Sequence, residues 1–265
     1  MEKRIGVIHY NFSFTFLEDF LGWCKEKGCE YVEIQRSDIW IKNEEPEKTT
    51  EKVAKLLKKY GLKVSQVSAG NDFIQKTKEE FNNQVNIVEK VSKLVKILDA
   101  NQLRIDGGWP KEGVEENKFK ELIIEGIKKT LEFAEKENVY FALDNHGQVT
   151  NDYILQLEIF EKMKSKKLGA NLDTMNYRWY GWPVKKLVEI YRLIAPYTLH
   201  THIKDGIGVR SEYKGKVFGE GEIPLIEVIK ILKSNNYKGV WCIEYEGNDK
   251  EIGYEKCINW LKENL

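Results

Sequence analysis

The 265-residue chain balances 42 lysines and arginines against 42 aspartates and glutamates, so no net charge draws it to nucleic acid or to an anionic membrane. A mean hydropathy of −0.51, no apolar run long enough to span a bilayer, and a start, MEKRIGVIHY, without an apolar signal region lead us to expect a soluble cytoplasmic protein. Four cysteines, Cys24, Cys29, Cys242 and Cys257, form no C-x-x-C pair and are too few for a disulfide scaffold.

The length is close to the roughly 250 residues of one (β/α)₈ barrel. No Pro-, Gly- or Ser-rich linker divides the chain, so a single domain over residues 1–265 is expected. In chain order, short apolar strands are expected at 3–9, 30–36, 62–68, 101–106, 139–144, 168–173, 198–203 and 238–244. Between them apolar residues recur at helical spacing, as in Val53, Leu56, Leu57 and Tyr60 or in Leu225, Val228, Ile229 and Leu232. Such alternation is the pattern of βα repeats around a parallel sheet, and eight repeats suffice to close a barrel. Lys27-Gly28, Tyr60-Gly61 and Tyr237-Lys238-Gly239 stand where helices should end, as C-cap glycines do. The longer loops after strands carry Trp40, Trp109, Trp179 and Trp182, which predicts an aromatic wall on one rim.

Chemistry gathers at the strand ends. His9 and Glu33 end the first two strands, and Asp106 closes the fourth within RIDGGWP. Asp144, Asp173 and His202 end the fifth, sixth and seventh at intervals of 29 residues, the length of one βα unit, and Glu244 ends the eighth. In a (β/α)₈ barrel these positions converge on the rim that bears the active site. Three carboxylates and one imidazole there suit a hard or borderline divalent cation: Mg²⁺, Mn²⁺, Co²⁺ or Zn²⁺. Plainer roles compete: Asp173 as a helix cap, His202 as a buried barrel histidine, Glu33 as partner of a barrel Lys or Arg, Glu246 as rival to Glu244, and the GEG at 219–221 as a helix entry before Pro224. His200, two residues deeper than His202, is expected to be a core histidine.

The segments FALDNHG (141–147), GANLDTMN (169–176), LHTHIKDG (199–206) and FGEGEIPLIEVIKILKSNNYKGVWCIEYEG (218–247) resemble the xylose isomerase-like TIM barrels of sugar phosphate isomerases and epimerases. The resemblance implies one divalent metal ion held by Asp144, Asp173, His202 and Glu244. It also implies isomerisation or epimerisation of a sugar, sugar phosphate or cyclitol through a metal-bound enediolate. Glu244 and Asp144 are then the proton-transfer pair, and His146, Asn176, Lys204, Arg210, Glu33 and Trp109 are the candidate substrate contacts, Lys204 facing the developing oxyanion. Two departures stand out. Asp144 replaces the usual Glu, one methylene longer, which leaves ligation through water, or by His146 in its place, as alternatives; Asn176 stands where a His is frequent.

The partner expected is a small molecule, with a homo-oligomer compatible. An inosose-type dehydratase is the neighbouring reading, because the same intermediate can expel hydroxide. An apurinic-site endonuclease fits less well: that group uses three zinc ions and more histidines than the four present, and neutral charge argues the same way. A metal-free binding barrel, and cleavage of C-glycosidic bonds with a partner subunit, complete the range.

Overall fold

The computed structural model describes residues 4–14 and 16–265. Each expected strand forms, trimmed by up to three residues at an end, residue 3 of the first lying outside the described residues: β1 (Ile5–Ile8), β2 (Tyr31–Gln35), β3 (Lys63–Ser68), β4 (Gln102–Ile105), β5 (Tyr140–Asp144), β6 (Leu168–Asp173), β7 (Thr198–Ile203) and, after an unexpected hairpin, β10 (Trp241–Ile243). They close in the order β1-β10-β7-β6-β5-β4-β3-β2, and every barrel pairing is parallel. This is one (β/α)₈ barrel, with its helices outside the sheet.

Local chemistry explains the boundaries. Helix α3 (Pro46–Tyr60) begins on a proline, whose missing N–H costs nothing in a first turn, and ends at Gly61 in the left-handed conformation (φ 66°). Helix α4 (Lys78–Ile97) opens with a capping box in which the Thr77 hydroxyl accepts from Glu80 N at 3.2 Å and Thr77 N donates to Glu80 Oε2 at 3.0 Å. Gly239 does not cap helix α9 (Leu225–Ser234); Asn236 takes the left-handed position there (φ 56°). Gly239 is instead required by space, since a Cβ would lie 2.6 Å from the Leu199 carbonyl oxygen.

The hairpin that sequence reading missed, β8 (Asp205–Ile207) with β9 (Lys214–Lys216), follows β7. Asp205 organises it. Its two oxygens accept from the backbone N–H groups of Gly206, Gly219, Gly221 and Ile223 at 2.8–3.2 Å, and a Cβ on Gly221 would lie 2.1 Å from that carboxylate. GEG is therefore a cradle for a buried carboxylate as well as a turn.

The main apolar core lies between sheet and helices, with Val32, Val67, Leu103, Phe141 and Leu172 among its fully buried members. Ile8, Tyr31, Val240 and Cys242 form a separate small apolar cluster, and Glu33, Gln66, Asn171, His200 and His202 are among the buried polar side chains of the strands. The aromatic wall is partial: Trp109 is 41% exposed and meets His146 edge-on at 5.3 Å, while Trp40 and Trp182 pack against the core.

Helix α5 (Glu116–Glu137) holds a glycine for packing. A Cβ at Gly126 would lie 2.4 Å from the ring of Phe73, which is fully buried and has nowhere to move. Gly→Ala inside a helix ordinarily stabilises by about 1 kcal/mol. Here overpacking reverses the sign, and Gly126→Ala should lose about 1–3 kcal/mol in urea unfolding; unchanged or increased stability would show that the packing is looser than described.

Candidate metal centre and active site

Strand β7 sends His200 and His202 into the barrel, and register places Asp173 of β6 on one side of His202 and Cys242 of β10 on the other. Both nitrogens of the His202 ring are engaged. Nε2 donates to Glu33 Oε2 at 2.6 Å, and Nδ1 lies 2.8 Å from Glu244 Oε2 without the alignment of a hydrogen bond. Glu244 extends the β10 ladder, its N–H donating to Ile203 O at 3.0 Å. One donor atom each from Asp173, His202 and Glu244 lie within 4.8 Å of one another, all buried.

Asp173 fills both roles read for it. Oδ1 accepts from Met175 N (2.8 Å) and Asn176 N (2.9 Å), starting helix α7 (Asn176–Tyr180), whereas Oδ2 faces the cluster without a hydrogen bond. Lys204 is buried against the same groups, its Nζ 3.0 Å from Asp173 Oδ2, 2.8 Å from Glu244 Oε1 and 3.4 Å from Glu246 Oε1. Asp144 is buried at the end of β5. Its Oδ1 accepts from Asn171 Nδ2 at 2.8 Å, its Oδ2 lies 3.6 Å from Arg104 Nε, and it is not one of the three grouped ligands.

The Glu33 carboxylate is met by side chains from other strands. It is fully buried, accepts from Gln66 Nε2 at 2.8 Å as well as from His202, and lies 3.4 Å from Arg104 Nη1, so the competing role as partner of a barrel base is the arrangement found. Arg210 also stands apart: it sits in a short turn (Arg210–Glu212), its guanidinium 6.0 Å from the Tyr180 ring, lining a neighbouring surface cavity of about 600 Å³ with Gln148 and Asp152. His146 and Trp109 pair at the rim, Asn176 is buried at the start of α7, and His9 is tied to Asp38 at 2.9 Å.

Arg104 escaped the sequence reading. It lies 3.4–3.8 Å from Glu33, Asp106 and Asp144, and a basic residue within the strand QLRI, two after Gln102, was the available signal. Glu33, Asp106, Asp144, Asp173 and Glu244 thus share this end of the barrel with the fixed cations Arg104 and Lys204, an excess of negative charge. Burial pushes the Asp173 carboxyl up to about 6, with Glu244 and Asp144 adding to the shift against the pull of Lys204. Burial also disfavours ionised Glu33, but His202 and Arg104 prevail and hold it at about 2. Against the cost of burial, Glu33 and Glu244 raise the pKa of His202, while Lys204 and His202 hold Glu244 well below the usual carboxylate range. Burial lowers His200 to about 3, so its ring is neutral.

The residues fit a divalent cation. His202 Nδ1 and Asp173 Oδ2 are buried donors without hydrogen-bond partners, one nitrogen and two carboxylates form the set, and Glu33 on the far ring nitrogen is the outer carboxylate that commonly orients a metal-binding histidine.

A sequence model of the family described as xylose isomerase-like TIM barrel matches residues 21–264. An uncharacterized protein of Methanocaldococcus jannaschii is 31% identical over 124 residues, 44% of this chain and 41% of that protein, so the match spans about two fifths of the relative's length. Among solved structures, a D-tagatose 3-epimerase-like protein superposes with a TM-score of 0.79 at 21% identity, covering 98% of this chain and 97% of that one. The IOLI protein, crystallised with a zinc atom, superposes with a TM-score of 0.78 at 17% identity, covering 98% and 96%.

Asp173 makes a pH prediction for the metal-free protein. Its pKa is raised from 3.8 unfolded to about 6 folded, so the folded state binds the extra proton and stability falls as pH rises through that window. Between pH 4.5 and 6, above the range in which Glu33 protonates, wild type in chelator should lose stability relative to Asp173→Asn, by up to about 2 kcal/mol at 1.36 kcal/mol per pH unit. Parallel stability profiles for the two proteins would refute the assignment.

Proposed function

The chain belongs to the xylose isomerase-like TIM barrel family, and on that footing we propose that it is a divalent-metal-dependent isomerase or epimerase of a small sugar, sugar phosphate or cyclitol. The observation that supports this most is the buried group of Asp173, His202 and Glu244, whose donor atoms converge while two of them lack hydrogen bonds. These three residues hold the ion, and Asp144 is the fourth contributor, directly or through water. When bound, the ion supplies Lewis acidity toward the oxygens of a hydroxy-ketone, which acidifies the adjacent C–H.

The remaining chemistry belongs to the side chains. Glu244, ionised beside Lys204 and His202, accepts the proton from the substrate carbon in this reading. Lys204, 2.8 Å from Glu244, places an ammonium where negative charge develops on substrate oxygen. Asp144 stands across the barrel axis on β5 and serves the opposite face of that carbon, steadied by Asn171 and Arg104. Glu33 fixes the orientation of His202, and His146 with Trp109 flanks the entrance. The sugar epimerase-like neighbour supports the substrate class, and the zinc-containing one supports binding of a divalent metal. If the carbon next to the abstracted proton carries a hydroxyl able to leave, the same residues serve a dehydratase, which releases water and is told apart by its product.

Purified protein should take up one Mn²⁺ per chain in isothermal titration, and His202→Ala should lose that uptake; a wild type that binds no divalent ion removes the basis of the proposal. With ketohexoses, ketopentoses and inososes as substrates in heavy water, wild type should exchange the α-hydrogen for deuterium. Glu244→Gln, which keeps size and one ligating oxygen, should lose turnover by roughly 10²–10⁴-fold, the share of one acid-base group, and should not exchange. A metal-loaded Gln variant that exchanges as fast as wild type would reduce Glu244 to a structural role.

A further inference from the structure

At the opposite end of the barrel the strand starts enclose a second cavity. It measures about 460 Å³, within the range of small-molecule sites, and is lined by Arg4 before β1, Tyr31 and Lys63 at the starts of β2 and β3, Gln102 and Tyr140 at those of β4 and β5, and His200. Branched apolar side chains usually fill this region of a (β/α)₈ barrel. Here the lining is polar and holds groups without partners.

His200 is 1% exposed, and its Nδ1 lies 2.8 Å from Asn171 Oδ1. The Asn171 amide orientation follows from its Nδ2 donating to Asp144 Oδ1, so Oδ1 accepts and His200 Nδ1 carries the proton. Nε2 is left as an acceptor, and among the described residues nothing donates to it. Arg4 and Lys63 both stand against the Tyr31 ring, 4.8 and 5.6 Å from its centroid. Arg4 donates to Tyr31 Oη at 3.0 Å and to Lys238 O at 2.5 Å, and neither cation forms an ion pair among the described residues. The acid in the lining is Asp99, so two cations face one carboxylate.

We propose that this cavity binds a small hydroxylated anion, a hydroxycarboxylate or a sugar phosphate, whose acidic end meets Arg4 and Lys63 and whose hydroxyl donates to His200 Nε2. The recognition needs both features. A bare anion leaves the buried imidazole acceptor unpaired, and a neutral polyol leaves the two cations unpaired. The site lies across the barrel from the carboxylate cluster and does not depend on the function proposed for it.

Calorimetric titration of the 265-residue chain tests this with two hydroxylated probes, glycerate and glycerol 3-phosphate, and their counterparts without alcohol groups, propionate and propyl phosphate. The hydroxylated member of each pair should bind about tenfold more tightly, the effect of one hydrogen bond to an otherwise unsatisfied buried acceptor. Which pair binds more tightly identifies the acidic group as carboxylate or phosphate. Lys63→Ala and Arg4→Gln together should weaken binding at least tenfold while Mn²⁺ uptake at the rim is unchanged. Lys63→Ala alone, at an exposed position, gives the same reading should Arg4→Gln weaken folding. The proposal is overturned by any of three results: no binding at millimolar concentration, equal affinity for the hydroxyl-free partners, or affinity untouched in Lys63→Ala, which would locate the ligand elsewhere.

Discussion

One buried imidazole held between two carboxylates organises the interior of this barrel. His202 meets Glu33 at 2.6 Å through Nε2 and Glu244 at 2.8 Å through Nδ1, so residues from β2, β7 and the end of β10 share one ring. Taking charges out of water costs several kcal/mol per ion unless each is met by an opposite charge or a hydrogen bond. The surrounding residues supply that compensation: Arg104 beside Glu33 and Asp144, Lys204 beside Asp173 and Glu244, and Gln66 donating to Glu33. Compensation is incomplete on the rim side, where negative charge exceeds positive and Asp106 Oδ1, Asp144 Oδ2, Asp173 Oδ2 and His202 Nδ1 lack hydrogen bonds. A structure that leaves its charge imbalance at one place leaves it where a cation can relieve it.

The same network makes the barrel polar through its depth. Gln102 donates to Gln66, Gln66 to Asn171, and Asn171 to Asp144, with His200 donating to the same Asn171 carboxamide. Side chains that would be branched apolar fillers in a barrel built for stability alone are carboxamides and imidazoles instead. The consequence runs in both directions. Toward the C-terminal rim the network fixes the carboxylates; toward the strand starts it ends on His200, which lines a cavity.

The loops that complete the rim follow a comparable logic on a smaller scale. Asp205, one residue beyond Lys204, gathers four backbone N–H groups and folds the hairpin and the GEG segment around itself. Glu222, next in line, accepts from Arg178 Nε at 2.6 Å and from Gly208 N at 2.9 Å, joining the loop after β6 to the hairpin after β7. Rigid loops of this kind hold the entrance beside a centre whose own side chains are locked by packing.

The sequence by itself determined the barrel and the rim. Strand and helix periods are local properties, and eight of them in alternation admit few folds, so the strands stand where the pattern places them. Asp173, His202 and Glu244, whose donor atoms the barrel gathers, were legible as candidates because ends of consecutive strands share a height. Legibility stopped at side-chain partners. Asp144 turning to Arg104 and Asn171, Glu33 spending itself on His202, Arg210 standing apart and Asp205 building a hairpin all depend on contacts between residues from 14 to 169 apart in the chain. Only closure of the barrel brings such residues within reach, and which carboxylate takes which cation is then settled by distances and burial that no spacing along a single chain encodes.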